Sequence, residues 1–134
     1  MILLETSLLS YAYRRRSQAD PEPKPVARLR ELIEANAPLA IPGIVLQEML
    51  SGLRDDKQAV SVRESIQGFP VILATENDHR TAANVLETSR RSGKTISTVD
   101  GLIAAMAITR GASLFTMDGD FSHIPASCGL KLLR

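Results

Sequence analysis

The sequence has few aromatic residues and a single cysteine. Its 134 residues include three Phe, two Tyr and no Trp, which argues against the platform of stacked aromatic rings that many binders of single-stranded nucleic acid use. The lone Cys128 cannot form an intramolecular disulfide, and no Cys/His spacing of a zinc site is present. We therefore expect a reducing, cytoplasmic setting without a disulfide or zinc scaffold.

An excess of one charge and a long hydrophobic run are also missing. The 16 basic and 15 acidic residues leave a net charge of +1, so no global positive field marks a nucleic-acid binder, and any RNA contact must rest on local patches. No apolar stretch approaches the roughly 20 residues that a helix needs to cross a bilayer. We expect a protein that is neither secreted nor attached to a membrane.

The overall composition is that of a globular protein. With 44% hydrophobic and 23% charged residues, the chain matches ordinary folded domains rather than disordered or fibrous sequences. A domain of this size buries roughly two thirds of the surface that its unfolded chain exposes. We expect residues 1–134 to form a single domain with a packed core.

Short apolar runs alternate with helical patterns along the chain. Strands are predicted at residues 2–4, 38–41, 70–73, 113–116 and 130–133. Helices are predicted after the first strand with Thr6 and Ser7 as caps, at 26–33, from Pro42 onwards, and at 57–66, 78–91 and 99–110, with a proline-rich loop at 20–25. This alternation predicts βαβ units and an α/β fold, a three-layer α/β/α sandwich around a mainly parallel sheet of about five strands.

Acidic residues follow the predicted strands. Glu5 follows the first strand, and Asp118 and Asp120 follow the fourth. Asp100 lies in the first turn of a helix, and Glu48 lies in the helix after the second strand. Because sites in open parallel sheets form at the carboxyl ends of the strands, we expect these acidic side chains to converge there.

Such a ring of carboxylates needs a positive charge. Two carboxylates about 4 Å apart repel by roughly 4 kcal/mol at an effective dielectric constant of about 20. A divalent cation relieves this repulsion, and ligands that are all hard oxygens favour Mg²⁺ or Mn²⁺ over zinc. Since such an ion polarises a phosphodiester and activates water, hydrolysis of a phosphate ester is the reaction class that fits.

Each of these carboxylates also has a purely structural interpretation. Asp100 is placed to cap its own helix, and Asp118 and Asp120 are common turn formers. Glu48 lies off the apolar stripe of its helix, which is typical of a solvated residue. Glu5 is the hardest to explain in this way, because an acidic residue directly after a buried apolar strand is poorly placed for solvation.

The order and spacing of several segments resemble the PIN-domain pattern of VapC toxins along nearly the whole chain. The segments are Ile-Leu-Leu-Glu-Thr-Ser at 2–7, Glu48 after an Ile-Pro turn, Thr-Val-Asp-Gly-Leu-Ile-Ala-Ala at 98–105, and Leu-Phe-Thr-Met-Asp-Gly-Asp-Phe at 114–121. The resemblance implies a PIN-like α/β/α sandwich and a Mg²⁺- or Mn²⁺-dependent endoribonuclease. It also implies the toxin of a type II toxin–antitoxin pair, commonly a homodimer that a small VapB-like antitoxin holds inactive.

Carried onto this chain, the resemblance implies a role for each acidic residue. The implied metal ligands are Glu5, Asp100 and Asp118, with Glu48 binding or orienting a second metal or water and Asp120 as an auxiliary catalytic carboxylate. The implied hydrogen-bonding groups that hold these carboxylates in place are Thr116 and Ser7, with Thr6 as a further candidate.

One position departs from the family pattern. The family usually has Asp at the first acidic position, and this chain has Glu5. The added methylene displaces the carboxylate, and a misplacement of about 1 Å can lower a rate by roughly 10²-fold. The sequence therefore leaves open a second function, a catalytically impaired PIN-like module that binds RNA or the antitoxin.

Two basic clusters are candidates for contact with RNA phosphates. The clusters are Arg14, Arg15 and Arg16 with Lys24 nearby, and Arg90, Arg91 and Lys94. Either cluster can equally be a solvated helix end, because basic side chains are favourable there. We predict RNA binding at Arg14, Arg15 and Arg16, and an antitoxin segment in a groove near the apolar helix residues Leu46, Met49, Leu50 and Leu53.

Other catalytic classes fit the spacing less well. Asp118 and Asp120 are spaced as in haloacid-dehalogenase-type phosphatases, but that pair should follow the first strand rather than the fourth. A receiver domain is disfavoured because Glu5 and Thr6 do not form the expected acidic pair and no suitable late lysine follows a strand. A metal-independent ribonuclease needs histidines as acid and base, and we expect the two histidines of this chain at the surface.

Overall fold

The computed structural model describes residues 1–15, 21–53 and 56–133 of the chain. The predicted RNA-binding cluster Arg14, Arg15 and Arg16 lies at the first gap, so that prediction concerns side chains outside the described part. Within the described ranges, none of the helices has the length and apolarity needed to cross a membrane.

A parallel sheet of five strands lies at the centre of the fold. The strands are β1 (Ile2–Leu4), β2 (Leu39–Pro42), β3 (Val71–Ile72), β4 (Ser113–Phe115) and β5 (Lys131–Leu132), and their order is β3-β2-β1-β4-β5. In this register Ile2 of β1 lies beside Leu39 of β2 and Ser113 of β4. The sheet extends from β1 first through β2 and β3 and then, on the other side, through β4 and β5. This reversal places its topological switch point between β1 and β4.

Six α-helices are present in the described part of the chain. They are α1 (Thr6–Ser10), α2 (Lys24–Glu34), α3 (Gly43–Ser51), α4 (Asp56–Gln67), α5 (Glu76–Arg91) and α6 (Thr98–Thr109). A π-helical turn, Tyr11–Arg15, continues α1, and 3₁₀ turns at Gly119–His123 and Ala126–Cys128 follow β4. Helices and sheet form a three-layer α/β/α sandwich, so the predicted fold class is confirmed.

β1 and α6 lie at the centre of the hydrophobic core. Leu3 and Leu4 of β1 are fully buried, as expected for a strand covered on both faces. Residues 103–107 of α6 are all buried, and a helix that is apolar on every side belongs in a core. Leu114 of β4 and Phe121 of the following turn are also buried. The elements that carry predicted site residues at their ends are therefore held by tight packing.

Helix starts differ from the predicted ones by one or two residues, and at α1 and α2 the capping residues explain the difference. Glu5, rather than Thr6 or Ser7, is the N-cap of α1, because its backbone is extended and its side chain accepts a hydrogen bond from the Ser7 N–H at 3.0 Å. α2 begins at Lys24, so Pro25 lies in its first turn rather than in the predicted loop. Proline is tolerated there because the first N–H groups of a helix have no partner within it.

The apolar stripe predicted on α3 is divided between core and surface. Met49 is buried together with Val45, whereas Leu50 is 37% exposed and Leu53 lies beyond the end of the helix. The division arises because α3 carries apolar side chains on more than one face and only one face meets the core. Leu46 and Leu50 help to line an open groove of about 440 Å³. Docking of an antitoxin segment in this groove stays a prediction.

Candidate metal centre

The candidate site lies where β1 and β4 end side by side. The N–H of Glu5, directly after β1, donates to the carbonyl oxygen of Phe115 at the end of β4, at 3.0 Å. This bond keeps the two chain segments together as they leave the sheet, Glu5 on one and Thr116 to Asp118 on the other. The site therefore occupies the switch point of the sheet, where open α/β folds place their ligands.

Three carboxylates converge beside these strand ends. Asp100, Asp118 and Asp120 each offer one carboxylate oxygen, and these oxygens lie within 4.8 Å of one another. Asp100 and Asp118 are half-buried, and Asp120 is exposed. The predicted convergence is thus present for Asp100 at the start of α6 and for Asp118 and Asp120 after β4.

Asp100 is brought to the site by the start of α6. The N-cap of this helix is Ser97, whose hydroxyl accepts a hydrogen bond from the Asp100 N–H at 3.1 Å. Ser97 therefore caps the backbone, while the carboxylate of Asp100 belongs to the group of three. Burial raises the pKa of the Asp100 carboxyl, and the nearby charges of Asp118, Glu48 and Asp120 raise it further.

Asp118 caps a turn and also belongs to the group of three carboxylates. Its backbone N–H donates to the hydroxyl of Thr116 at 2.9 Å, and its Oδ1 accepts from the N–H of Asp120, also at 2.9 Å. Asp118 is thus the N-cap of the 3₁₀ turn Gly119–His123, as its interpretation as a turn former predicts. The same turn carries Asp120 back towards Asp118, so the turn builds part of the carboxylate group.

Glu5 is buried near this group and is not one of its three members. Its side chain is 5% exposed, and Oε1 accepts hydrogen bonds from the Ser7 N–H at 3.0 Å and from the hydroxyls of Ser7 and Thr116. Burial raises the pKa of the Glu5 carboxyl and the nearby charge of Asp100 raises it further, although the hydrogen bonds from Ser7 and Thr116 oppose that shift. Ser7 and Thr116, the predicted supporting hydroxyls, both contact Glu5.

Glu48 approaches the site from α3. Its Oε1 accepts a hydrogen bond of 2.7 Å from the hydroxyl of Thr6, and the side chain is half-buried. Since its charge contributes to the raised pKa of Asp100, Glu48 faces the carboxylate group rather than bulk solvent alone. Its contact with Thr6 ties the Glu48 side chain to the start of α1, and its role in the site stays a prediction.

A histidine that the sequence did not connect with the site lies at its rim. His79 and His123 are both exposed, as predicted, but His123 Nδ1 lies 3.9 Å from Asp120 Oδ1. The two residues are three positions apart in one helical turn, which brings their side chains onto the same face. The spacing of three residues could have predicted this contact from the sequence. It becomes relevant to the site because Asp120 belongs to the group of three carboxylates.

The second basic cluster lies near the start of α6. Arg90 and Arg91 are in the last turn of α5, and the loop that contains Lys94 leads directly to the first turn of α6. Arg91 forms an exposed ion pair with Glu87 at 2.7 Å. An exposed ion pair of this kind is weak, so a phosphate could displace Glu87 from Arg91. Arg90 and Lys94 are exposed as well. Their contact with RNA stays a prediction.

The donor set fits a hard divalent cation. Every side chain in the group of three offers carboxylate oxygen, which is the ligand type that Mg²⁺ and Mn²⁺ prefer. Two of the three carboxylates are half-buried, so their mutual repulsion is screened less than at an open surface. The residues present therefore suit a bound Mg²⁺ or Mn²⁺.

Known proteins resemble this chain over nearly its full length. Residues 2–127 match the family model of the PIN domain, a range that contains every acidic residue of the candidate site. Ribonuclease VapC11 of Mycobacterium tuberculosis is 33% identical over 133 residues, which cover 98% of this chain and 96% of that protein. VapC ribonuclease Mb1587 of Mycobacterium bovis is similar to the same extent, 33% over 133 residues.

A solved toxin–antitoxin structure shares the fold. VapBC2 from Rickettsia felis, in complex with a DNA fragment from its promoter, superposes on this chain with a TM-score of 0.78 at 26% identity. The superposition covers 99% of this chain and 98% of that one. The similarity thus extends to the whole arrangement of sheet and helices described above.

Proposed function

The chain belongs to the PIN domain family, with VapC ribonucleases among its relatives, and on that premise we propose that it is a Mg²⁺- or Mn²⁺-dependent endoribonuclease. In this proposal it hydrolyses RNA phosphodiester bonds as the toxin of a VapBC-like pair. The observation that carries the proposal is the convergence of Asp100, Asp118 and Asp120 at the switch point of the sheet. Three carboxylates in that position create the negative field that a divalent cation neutralises.

The ion would be held mainly by the group of three. Asp100 and Asp118 are ligands in the assignment from the resemblance, and the geometry favours Asp120 beside them because its oxygen lies within the same 4.8 Å. Glu5, the other ligand in that assignment, is not one of the three residues whose oxygens converge. A bound Mg²⁺ or Mn²⁺ supplies positive charge that stabilises the charge developing on a phosphodiester, and it lowers the pKa of water.

The chain's own groups would orient the water and the substrate. Glu48 uses one carboxylate oxygen to accept from Thr6, which fixes the side chain and leaves the other oxygen for a water molecule. In the proposed reaction Glu48 orients this water and accepts its proton. Asp120, as the most exposed of the three carboxylates, lies on the side from which RNA would approach.

Partners and setting follow from the same family membership. The proposed substrate is RNA, the proposed inhibitor is a small VapB-like antitoxin, and the proposed assembly is a homodimer in the cytoplasm. The near-balanced charge of +1 requires that local arginine and lysine clusters contact the RNA phosphates. Removal of two arginines from the contacting cluster should therefore reduce the salt dependence of RNA binding, and an unchanged slope would exclude that cluster.

One observation favours the alternative of an impaired binding module. The carboxylate of Glu5 is buried and occupied by hydrogen bonds, whereas the family usually has the shorter Asp at this position. A module that only binds RNA or antitoxin has no need of a metal in the carboxylate group. Metal dependence of RNA cleavage therefore separates the two functions.

The test is cleavage of a total small-RNA pool by the purified protein. Reactions contain Mg²⁺, Mn²⁺ or a chelator, and circular dichroism checks that the protein is folded in each. We expect cleavage with either ion and none with the chelator. A folded protein that cuts no RNA under any of these conditions, but still retains RNA or a cognate antitoxin, would establish the binding module instead.

A further inference from the structure

The carboxylate of Glu5 is the end point of two short hydrogen-bond chains. In one, the N–H of Met117 donates to the Ser7 hydroxyl at 3.0 Å, and that hydroxyl donates to Glu5 Oε1. In the other, the N–H of Asp118 donates to the Thr116 hydroxyl at 2.9 Å, and that hydroxyl donates to the same Oε1. Both chains begin on the backbone segment Thr116–Asp118, which carries a proposed ligand.

From this arrangement we propose that Glu5 is a positioning residue, which fixes the segment Thr116–Asp118 through the two hydroxyls, and not itself a ligand of the metal. The inference rests on the proposed function, since the segment matters because it presents Asp118. It also departs from the role that the family resemblance implies for the first acidic position. The structure supports the change of role in three ways.

The first support is that Oε1 of Glu5 is already occupied. It accepts from the Ser7 N–H at 3.0 Å as well as from the two hydroxyls, which makes three donors on one oxygen. A carboxylate oxygen has two lone pairs, so three donors saturate Oε1 and only Oε2 could still reach a cation. The group of three oxygens within 4.8 Å, found among the described residues, is formed without Glu5.

The second support is the direction of the hydrogen bonds. Each hydroxyl has a single proton, and each gives it to Glu5, so its oxygen is free to accept a backbone N–H. If the carboxylate were removed, the hydroxyl protons would lose this acceptor, and the two hydroxyls, whose oxygens lie 3.2 Å apart, would turn to hydrogen-bond each other. The Met117 and Asp118 N–H groups would then lose fixed partners, because those partners depend on the orientation of the hydroxyls.

The third support is the reach of the longer side chain. The backbones of β1 and β4 are held together by the bond of 3.0 Å from the Glu5 N–H to the Phe115 carbonyl oxygen. From that fixed start, Glu5 contacts Ser7 two residues ahead on its own segment and Thr116 on the neighbouring one. One carboxylate thus ties the first turn of α1 to the segment after β4.

The test combines two measurements that do not need RNA cleavage. Amide hydrogen exchange at Met117 and Asp118, in protein without metal, reports whether the segment is fixed. Titration with Mn²⁺ alone, followed by electron paramagnetic resonance, reports whether a ligand has been lost. The variants are Glu5→Gln, which keeps an acceptor oxygen without the charge, Glu5→Ala, which removes the acceptor, and Asp118→Asn as the control for loss of a ligand.

Variants that remove only one of the two hydroxyls show which amide each hydroxyl fixes. Ser7→Ala should accelerate exchange at Met117 more than at Asp118, and Thr116→Val should do the reverse, because each hydroxyl serves one N–H. Glu5→Ala should accelerate both by about 10-fold or more, since a hydrogen bond to a charged group is among the stronger ones. Glu5→Gln should restore both rates to within about threefold of the wild type, because its amide oxygen replaces Oε1 as the acceptor.

The Mn²⁺ titration then separates positioning from coordination. We expect Asp118→Asn and Glu5→Ala each to weaken Mn²⁺ binding by about 10- to 100-fold, and Glu5→Gln to retain most of the affinity. Glu5→Gln as weak as Asp118→Asn, with the amides of the segment unchanged, would make Glu5 a ligand and overturn the inference. Unchanged amide exchange in Glu5→Ala would overturn it as well.

The two proposals fail in different ways. If the folded wild type binds no Mn²⁺ at all, the metal-dependent function fails, while the exchange rates in the metal-free protein still decide whether Glu5 fixes the segment. If Mn²⁺ binds and depends on Asp118 but the exchange rates ignore Glu5, the metal site stands and the positioning role fails.

Discussion

The two carboxylate oxygens of Asp78 each accept a hydrogen bond of 3.0 Å from the guanidinium group of Arg110. Asp78 is 1% exposed and also accepts from the Thr109 hydroxyl at 2.6 Å and from a backbone N–H at 2.8 Å. These bonds join the start of α5 to the end of α6, whose first turn carries Asp100. The Asp78–Arg110 pair therefore holds the C-terminal end of α6, and the N-terminal end of the same helix carries Asp100.

Acid should destabilise the protein through Asp78. Burial alone would raise the pKa of this carboxyl, but the hydrogen bonds from Arg110 and Thr109 and the Arg110 charge lower it from 3.8 to about 2. Because the folded pKa lies below the unfolded one, the stabilisation is present above pH 3.8 and is lost as the pH falls through about 2. The shift corresponds to roughly 2 kcal/mol of the free energy of unfolding.

Urea unfolding between pH 7 and about pH 2 measures this contribution. Asp78→Asn should lower stability at neutral pH by about 3–5 kcal/mol, because it leaves Arg110 without its buried partner, and it should remove most of the acid dependence. Asp56→Asn, at an exposed position in the first turn of α4, is the control and should keep that dependence. Parallel acid profiles for the wild type and Asp78→Asn would contradict the role of the pair.

Ser89 should be replaceable by alanine with a gain in stability. It is fully buried in α5, and among the residues that the structure describes its hydroxyl has no hydrogen-bond partner. An unsatisfied buried polar group costs about 1–3 kcal/mol, and alanine also has the higher helix propensity. We expect Ser89→Ala to raise the free energy of unfolding by about 1 kcal/mol in urea titrations.

A second serine separates the two causes of that gain. Ser65 is half-buried on α4, and its hydroxyl donates to the Ser61 carbonyl oxygen at 2.8 Å. Ser65→Ala therefore reports helix propensity without relief of an unsatisfied group. A gain in Ser89→Ala no larger than that in Ser65→Ala would show that the buried hydroxyl costs nothing.

Gly101 should tolerate no larger side chain without movement of Leu86. A Cβ at Gly101 would lie 2.8 Å from Leu86 Cδ2 and 3.0 Å from its Cγ, where α5 and α6 pack closely. Gly101→Ala gains about 1 kcal/mol of helix propensity, but overpacking costs typically about 1–3 kcal/mol. We expect a net loss of stability, together with weaker Mn²⁺ binding because Asp100 is the preceding residue.

A double-mutant cycle with Leu86→Ala tests that explanation. If the loss arises from the contact, the two substitutions should be coupled by about 0.5–3 kcal/mol in the stabilising direction, because removal of the leucine makes room for the new methyl group. Additive effects would show that the close contact is not the cause.

Glu48→Gln should reduce RNA cleavage while it retains most Mn²⁺ binding. The hydrogen bond from Thr6 can still be accepted by the amide oxygen, but the group can no longer accept a proton. The loss of a general base typically lowers a rate by about 10²- to 10⁴-fold. Single-turnover cleavage rates measure the effect, with Glu64→Gln, an exposed position on α4, as the matched control. Equal rates for the two variants would remove Glu48 from the reaction.

The parallel sheet of about five strands and the positions of Asp100 and Asp118 at its edge could be predicted because they depend on local patterns. Continuous apolar runs mark buried strands, and residues directly after parallel strands meet at one edge. The strand ends differed by a residue or two, for example at Pro42, because final hydrogen bonds decide such boundaries. Local pattern was thus sufficient for the architecture and for the place of the site.

The contacts that set side-chain roles could not be predicted in the same way. Thr116 contacts Glu5 across 111 positions of sequence, and Arg110 contacts Asp78 across 32, so no local spacing signals either contact. The role of Glu5 depends on which donors reach a single oxygen, and this is a property of the packed structure. The spacing therefore predicts which acidic residues lie near the site. It does not predict which of them would bind a metal and which would hold another residue in place.

The most direct test of the central claim is single-turnover cleavage of RNA by Asp100→Asn with saturating Mg²⁺. Asp56→Asn is the matched control, since each residue is an acidic group in the first turn of a helix. The account predicts that Asp100→Asn is slower than the wild type by at least about 100-fold, more than the 10- to 100-fold typical of groups that only support a ligand. Asp56→Asn should cleave at the wild-type rate. Cleavage by folded Asp100→Asn at the rate of Asp56→Asn would contradict a metal-dependent nuclease at this site.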